Sequence, residues 1–553
     1  MNPTAKNVVK GKAKRLRARS RVLANGGGFG YDSDMIDTES ESQMGRPCGR
    51  WRKTKWFYGI MLTYCGVTIA AMIWWSAYSH AKFEEAVAPI ITRGEPLAWS
   101  DFATDPIPDD RNAAVLYKQA VNASVMPGWR ELRREFKGVV ESMEDVDFDL
   151  VEDLAARRGL RRKYPEEVRK LLGMLKDVFR LCRDARRRDK VDWGIDFSGN
   201  VFEATCDIPL QLYVRAARML KLAAVEAHDA GRDDEAIEYL RDIIALGDSL
   251  AINPVLVNYL VAMTVNGNMH EALEEVLPDI KIGQAPGCAR PENLRGLMAE
   301  LLDDSRLAQG LELAMMGERS TAHDICQRVM NMDLSLAMAD SSYVGSSSER
   351  SSPPNIFVRT AFDYSLAPMF RIDAAWLLEH GDAHVKAAGV GTLPESRRIL
   401  RPAIQDLDQR RMNLSHARIL SALLAPSLRR TFVLHYFGLT HRRLSAAAIA
   451  VRMYQQDNGR RPEKLEDLIP KYLSEIPQDP MNEPGEPIRY IADSDMPRLY
   501  SVGKNARDER GVYDDQAKEG DDAKEMLFFL NGRPNKCKRE WEQDSSGQSG
   551  GDD

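Results

Sequence analysis

Cysteine is scarce in this 553-residue chain: it has seven, and they are widely spaced. No C-x-x-C pair occurs, so the spacing argues against a zinc motif and against a disulfide framework. The sequence also lacks a G-x-S-x-G motif, a P-loop and a dinucleotide-binding fingerprint, and therefore indicates no familiar enzyme class. Positive charge is not in excess either. The formal net charge is −6, which argues against nucleic acid as a partner.

One long hydrophobic run is present. From Trp56 to Ser79 there are 24 residues without Asp, Glu, Lys or Arg, enough to cross a hydrocarbon layer of about 30 Å as a helix. Aromatic residues at both ends are typical of membrane interfaces. The run predicts one transmembrane helix at 56–79, with the lipid bilayer as its partner. Gly66 and Ala70 form a small-xxx-small pair that leaves a homodimer open beside simple lipid-facing packing.

The charges that flank this run predict its direction. Residues 1–55 carry 13 Lys/Arg and 5 Asp/Glu, whereas Lys82 and Arg93 are the only cations in the twenty residues after Ser79. The positive-inside rule therefore places the N-terminus in the cytoplasm and residues 80–553 in the periplasm or cell exterior. The run is too long for a cleaved signal peptide, which indicates an uncleaved signal anchor.

After a polar connector at 80–110, apolar residues recur at three-to-four spacing with breaks at Gly or Pro, the pattern of packed helices. We predict a mainly α protein: one transmembrane helix, a helical-bundle or repeat-like ectodomain at 111–441 with a loop near 341–355, and a small α+β C-terminal module. The predicted helices of the ectodomain are 111–137, 151–188, 208–230, 233–250, 254–277, 291–340, 356–389, 394–424 and 427–457.

Two stretches of the ectodomain resemble each other. Gly231-Arg-Asp-Asp-Glu-Ala236 and Gly267-Asn-Met-His-Glu-Ala272 each place a glycine five residues before an alanine. The pattern is similar to tetratricopeptide-type helical hairpins, in which a turn glycine precedes a helix that begins near a small packing alanine. The resemblance implies stacked helical pairs. The stretch from Val191 to Ala262 also resembles a helical region of bacterial membrane-anchored proteins of unknown function, and this likeness favours an interaction role.

The C-terminal part, 442–515, has a different pattern. A helix ends at Asp457-Asn-Gly-Arg-Arg-Pro462, Pro477-Gln-Asp479-Pro480 follows, and a strand ends in Tyr500-Ser-Val-Gly503. These motifs, in this order, resemble the C-terminal part of the major pseudopilin of type II secretion. The resemblance implies a small sheet after a long helix. The pseudopilin cleavage signature is missing before Trp56, so processing into a fibre is not expected.

The same resemblance implies a calcium-binding loop after the last strand. Asp508, Asp514 and Asp515 lie there, and carboxylate oxygens are the ligands that calcium prefers. An exposed acidic loop is the alternative. The remaining residues, 516–553, are polar and predicted to be largely disordered, as is the basic cytoplasmic tail at 1–55.

The function predicted from these features is that of a membrane-anchored, non-enzymatic scaffold that binds other proteins of the bacterial cell envelope. A hydrolase of unrecognised type is the rival, working through clustered carboxylates or through His380 and His384, which share a helical face at i, i+4 spacing. An accessory component of a secretion or pilus-like machine is a third hypothesis.

Overall fold

The computed structural model describes residues 50–124, 151, 154–155, 158–198, 209–331, 356–412, 428–492, 495–513 and 525–532. The chain divides into two compact units, Met1–Thr68 and Ile69–Asp553. In the first unit the described residues are helical. The predicted cytoplasmic tail before residue 50, the loop near 341–355 and the chain end after residue 532 lie outside the described residues.

The first helix, α1, runs from Arg50 to Thr92 and contains the predicted anchor. Its extension through residues 80–92 corrects the prediction of a polar connector there. Pro89 lies inside the helix and removes one backbone donor. The helix continues through Pro89 because Ala86, Val87 and Ile90 are buried against Ala375 and Leu378 of a later helix. Apolar burial of this kind favours the helical form.

The described part of the second unit is mainly helical. The helices that follow α1 are α2 (Ala113–Ser124), α3 (Arg158–Lys163), α4 (Pro165–Met174), α5 (Lys176–Arg186), α6 (Leu210–Asp229), α7 (Asp233–Ala251), α8 (Leu256–Val276), α9 (Pro291–Leu302), α10 (Ser305–Met330), α11 (Ile356–Ser365), α12 (Ala367–Ala388), α13 (Leu393–Met412) and α14 (Arg429–Asn458).

Where the structure describes them, most of the predicted helical ranges are helical, and three of them are divided. Residues 125–137, 332–340 and 413–424 of these ranges lie outside the described residues. The range 151–188 contains α3, α4 and α5, with Pro165 at the start of α4. The range 291–340 is interrupted at Asp303-Asp304, between α9 and α10. The range 356–389 is interrupted at Leu366, just before Pro368 in the first turn of α12. A proline disfavours helical backbone in the residue before it, and its ring fits the first turn of a new helix.

The two stretches predicted to resemble each other differ in structure. Gly231 is a turn residue with φ 74°, and α7 begins two residues later. Gly267 lies in the middle of α8, within the predicted helix 254–277, so it is not the turn glycine that the resemblance implies. An isolated glycine costs a helix only about 1 kcal/mol, which packing of the neighbouring residues offsets. Helices α6, α7 and α8 pack against one another.

A small antiparallel sheet lies near the C-terminus, with strand order β1 (Arg489–Ile491), β2 (Arg498–Ser501) and β3 (Met526–Phe529). Strand β3 lies within 516–553, which was predicted to be largely disordered, and shows that part of this range is ordered. Its residues form a short apolar run in polar surroundings, and Phe528 and Phe529 are buried. The predicted boundary at residue 442 falls inside α14, and one apolar core includes residues from Ala113 to Leu530.

The described cysteines are Cys65, Cys182, Cys288 and Cys326, and all four are free thiols. Cys182 and Cys326 are buried as small apolar residues. Burial raises the pKa of both thiols, so they are poor nucleophiles in the folded protein.

Candidate functional site

The predicted anchor residues, Trp56 to Ser79, all lie on α1. Large apolar side chains on every side of this segment are exposed, among them Trp56 (71%), Leu62 (68%) and Trp74 (64%). A helix that is apolar all round belongs in lipid or in a protein core. As far as Trp74 this one is not covered by protein, whereas Ser76 and Ser79 are buried. It is long and apolar enough to cross a membrane. Nothing within 4 Å would meet a side chain at Gly66, so the surface of the small-xxx-small pair is open.

Of the three aspartates predicted to bind calcium, the structure describes Asp508, while Asp514 and Asp515 lie outside the described residues. The Asp508 carboxylate accepts a hydrogen bond from the Arg510 N–H (2.8 Å) and pairs with Arg489 (3.3 Å). Nearby, Glu525 accepts the N–H groups of Glu509 and Val512. The structure, within its described ranges, contains no group of three or more His, Cys, Asp or Glu side chains arranged to hold a metal ion. The calcium site stays a prediction.

His380 and His384 lie one turn apart on α12, as predicted. Their exposed fractions are 5% and 2%, and their rings stack between Trp376 and Phe432. His384 Nδ1 donates to the carbonyl oxygen of His380 (2.9 Å), and burial lowers the pKa of His384. The pair is thus a packed core element in this structure and is closed to a substrate.

A Ser–His contact also occurs in the core. His270 Nδ1 lies 3.0 Å from Ser445 Oγ, but the two residues are 1% and 0% exposed. A nucleophile must reach the reacting carbon of its substrate. The burial of both residues argues against a role for this pair in hydrolysis.

One surface feature suited to binding is a groove of about 330 Å³ beside α5, which we name the basic groove. One face of α5 is buried in the core and consists of Val178, Phe179, Cys182 and Ala185. The other face carries cations at helical spacing. The groove is lined by Lys176, Phe179, Arg180, Arg183, Asp184, Arg187 and Tyr239.

Two aromatic rings form the inner part of the basic groove. Phe179 and Tyr239 meet edge to face at 5.3 Å, and the Arg183 guanidinium lies 5.4 Å from the centre of the Tyr239 ring. Such a contact orients an arginine and is worth about 0.5–1 kcal/mol at a half-exposed site. The rings give the groove an apolar wall below its cationic rim.

Arg183 is held from beneath by a buried carboxylate. Its Nε donates to Asp242 (2.7 Å), which also forms an ion pair with Arg186 (3.2 Å). Burial raises the pKa of Asp242, and the two arginines offset part of that rise. Asp242 therefore neutralises much of the positive charge of Arg183 and fixes its position.

Lys176, Arg180 and Arg187 carry the remaining positive charge to solvent. Arg180 and Arg187 have exposed side-chain fractions of 61% and 72%. Both make ion pairs with Asp184, at 3.7 and 3.2 Å, and Arg180 also pairs with Asp177 at 3.1 Å. Exposed pairs of this kind are weak, so the arginines are able to exchange these aspartates for another carboxylate. Guanidinium groups bind carboxylates in a two-pronged geometry. The chemistry of the groove is therefore recognition of an anionic, partly apolar segment.

The basic groove was not predicted from the sequence, although a signal was present. Residues 158–190 contain 13 Lys/Arg and 5 Asp/Glu in a chain whose net charge is negative. The local excess of cations marks the segment. The partner ring, Tyr239, comes from a helix about 50 residues further along the chain, and only the fold brings it to α5.

No protein-family model, no curated protein and no solved structure matches this chain.

Proposed function

We propose that this is a membrane-anchored, non-enzymatic scaffold of the cell envelope, which binds an acidic segment of another envelope protein in the basic groove. The observation that supports the proposal is the groove itself: four cations and one carboxylate around two aromatic rings. Arginine and aromatic residues are enriched where proteins bind proteins.

The proposed location follows from the anchor and its flanking charges. The N-terminus lies in the cytoplasm and residues 80–553 lie outside it, because the cations are concentrated before Trp56 and positively charged flanks stay on the cytoplasmic side. An envelope partner is therefore the partner that the basic groove would meet.

The pseudopilin-like residues are proposed as a second docking region, and this supports an accessory role in a secretion or pilus-like machine as the second candidate function. The predicted motifs are joined by hydrogen bonds: Asp479 accepts the Ser501 hydroxyl (2.7 Å) and the Val502 N–H (3.0 Å). The helix ends at Gly459 with φ 69°, a conformation that glycine adopts at little cost.

The experiment is chemical crosslinking of the tagged full-length protein in intact membranes, followed by mass spectrometry of the proteins that co-purify. A groove variant, Lys176→Gln, Arg180→Gln and Arg187→Gln, is compared with a control variant of equal charge change at the exposed residues Arg295, Arg401 and Lys464. At about 0.5 kcal/mol for each lost contact, we expect partner recovery to fall about tenfold in the groove variant.

The control variant should recover the partner as well as the original protein does. An equal fall in both variants would indicate a nonspecific effect of charge and would contradict the assignment of the groove. If no partner is recovered by any form of the protein, the scaffold function is wrong, and the extracytoplasmic residues should be screened for hydrolase activity instead.

A further inference from the structure

The large apolar side chains of helix α11 face outward, and its charged side chains face the protein. None of its residues is buried, and Ile356, Phe357 and Val358 are 74%, 80% and 52% exposed. Tyr364 and, directly after the helix, Leu366 are exposed as well. A helix on a water-facing surface normally directs its polar side outward, so the outer face of α11 is unsuited to water.

The protein-facing side of α11 holds its charges. Arg359 pairs with Asp363 at 3.1 Å, and both side chains are about one-third exposed. Between them Phe362 stacks on Phe370 of α12, with ring centres 6.0 Å apart. The ion pair satisfies the charges within the protein and leaves the apolar side chains outside.

A chain of contacts connects α11 with α1 just beyond the predicted anchor. Phe370 and Phe83 pack in the same apolar cluster with Cys326, Met330 and Trp376, and Asp363 and Arg371 lie close enough to His80 to act on it electrostatically. Phe83 is four residues past Ser79, which corresponds to roughly 6 Å along a helix. The headgroup region on each side of a bilayer is about as thick.

The surface of α1 just before this point is apolar and exposed as well. Ile69, Ile73 and Trp74 are 58%, 54% and 64% exposed. These residues and α11 belong to the same compact unit, and the contacts through Phe83 and Phe370 hold α11 near the end of this apolar surface. The exposed apolar residues of α11 therefore lie near a surface that is already suited to lipid, a position that a protein partner would not require.

We propose that α11 is an interfacial membrane helix, whose outer face lies among the phospholipids of the leaflet where the anchor ends. The bound chemistry is the boundary between headgroups and acyl chains, where Phe, Tyr and Ile side chains are stabilised. This second contact fixes the domain against the bilayer surface and limits its rotation about α1. The inference rests on the proposed membrane anchoring.

The test is site-specific photocrosslinking of the full-length protein in liposomes of phosphatidylethanolamine and phosphatidylglycerol. A diazirine amino acid replaces Val358 in α11, Ile73 in the anchor, or Val257, which is 53% exposed at the start of α8. After illumination, mass spectrometry detects the gain of one phospholipid mass. We expect lipid adducts at positions 358 and 73 and none at 257.

Each other outcome overturns a defined statement. Adducts at 73 without adducts at 358 would overturn the interfacial role of α11 and leave the anchor intact, whereas adducts at neither position would overturn the anchoring itself. Crosslinks from 358 to a second copy of the chain would show that the apolar face is a protein interface. Equal labelling at 358 and 257 would show that the lipid contact is not selective and would overturn the inference.

Discussion

Two arginines that are almost fully buried, Arg319 and Arg442, hold different parts of the molecule together. Their contrast separates contacts within the core from contacts between the core and the end of the predicted anchor helix. They are 1% and 0% exposed. Arg442 joins helices within the core. Arg319 joins the end of the anchor helix to that core.

Arg442 of α14 sits among few charges. It pairs with Asp248 of α7, donates to Asn266 Oδ1 of α8 (2.7 Å), and reaches the carbonyl oxygen of Asp303 (3.3 Å). Burial raises the pKa of Asp248, and the arginine opposes that rise. One cation thus satisfies one carboxylate and two neutral acceptors in three separate segments of the core.

Arg319 of α10 sits in a charged cluster. It donates to Glu95 (2.7 Å), to Asp382 (3.3 Å) and to the carbonyl oxygen of Pro96 (3.0 Å), while Arg93 and Lys386 share the same carboxylates. A Cβ at Gly381 would lie 2.8 Å from Arg319 Cγ, so this glycine gives the arginine room. Two of its three acceptors, Glu95 and Pro96, directly follow α1, and the third, Asp382, lies on α12.

The difference indicates that loss of Arg442 affects the whole fold, whereas loss of Arg319 mainly releases the segment after the anchor. Removal of one member of a buried pair costs about 3–5 kcal/mol, since the other charge stays buried. In the Arg319 cluster the carboxylates keep two other cations, so the penalty there is smaller.

The largest effect is expected for Arg442→Met. We expect the free energy of unfolding to fall by about 3–5 kcal/mol because Asp248 loses its buried cation. Urea denaturation of the full-length protein in nanodiscs, followed by tryptophan fluorescence, measures this change. The double variant with Asp248→Asn should recover part of the loss, and a double variant as unstable as the single one would contradict the pairing.

The next effect is expected for Arg319→Met, at about 2–3 kcal/mol in the free energy of unfolding, since Arg93 still neutralises Glu95. Hydrogen exchange under native conditions distinguishes this variant from Arg442→Met. We expect faster exchange of the backbone amides in residues 93–102 and no change in α7 or α8. Arg328→Met, at a half-exposed site on the same helix, is the control. Uniformly faster exchange across the core would show that the two arginines do not differ in role.

A third change, Glu318→Gln, sharpens the contrast beside Arg319. Burial alone raises the pKa of Glu318 from 4.5 to about 7. Between about pH 4.5 and 7, Glu318 ionises in the unfolded chain but not in the folded protein, so the free energy of unfolding falls as the pH rises. Above about pH 7 both states are ionised, and the free energy of unfolding stays at its lower value. We expect the glutamine variant to gain up to about 3 kcal/mol near pH 8 and nothing near pH 4.5. An equal gain at both pH values would contradict this origin.

The smallest effect is expected for Lys386→Gln. Its side chain is 62% exposed and pairs with Asp382 at 2.8 Å, and exposed pairs contribute about 0–1 kcal/mol. The midpoint of urea denaturation should barely move, and high salt should remove what difference exists. A loss as large as that of Arg319→Met would show that the cluster depends on all of its cations.

The sequence allowed the helices and the apolar anchor to be predicted because these depend on local periodicity and on one uninterrupted hydrophobic run. Strand β3 escaped prediction because its few apolar residues carry no period, and they are stabilised by pairing with β2. Gly267 lies inside the predicted helix 254–277, although the resemblance implied a turn there. A glycine is locally ambiguous, and only the packing of α8 decides its conformation.

The sites were less predictable than the helices. The His380 and His384 spacing suggested a hydrolytic site, but the same spacing serves to place two rings in a core. Arg319 and Arg442 are unremarkable in the sequence, since their acceptors lie up to 224 residues away. The cations of the basic groove, in contrast, are neighbours along the chain, so their excess in 158–190 is visible in the sequence without the structure.

The most direct test of membrane anchoring is protease accessibility in intact spheroplasts that express the full-length protein with an N-terminal tag. Protease added outside should degrade residues 80–553 and leave the tag attached to the membrane fraction and protected. Digestion of the tag with protection of residues 80–553, or recovery of the intact protein in the soluble fraction, would contradict the proposed anchor and its orientation.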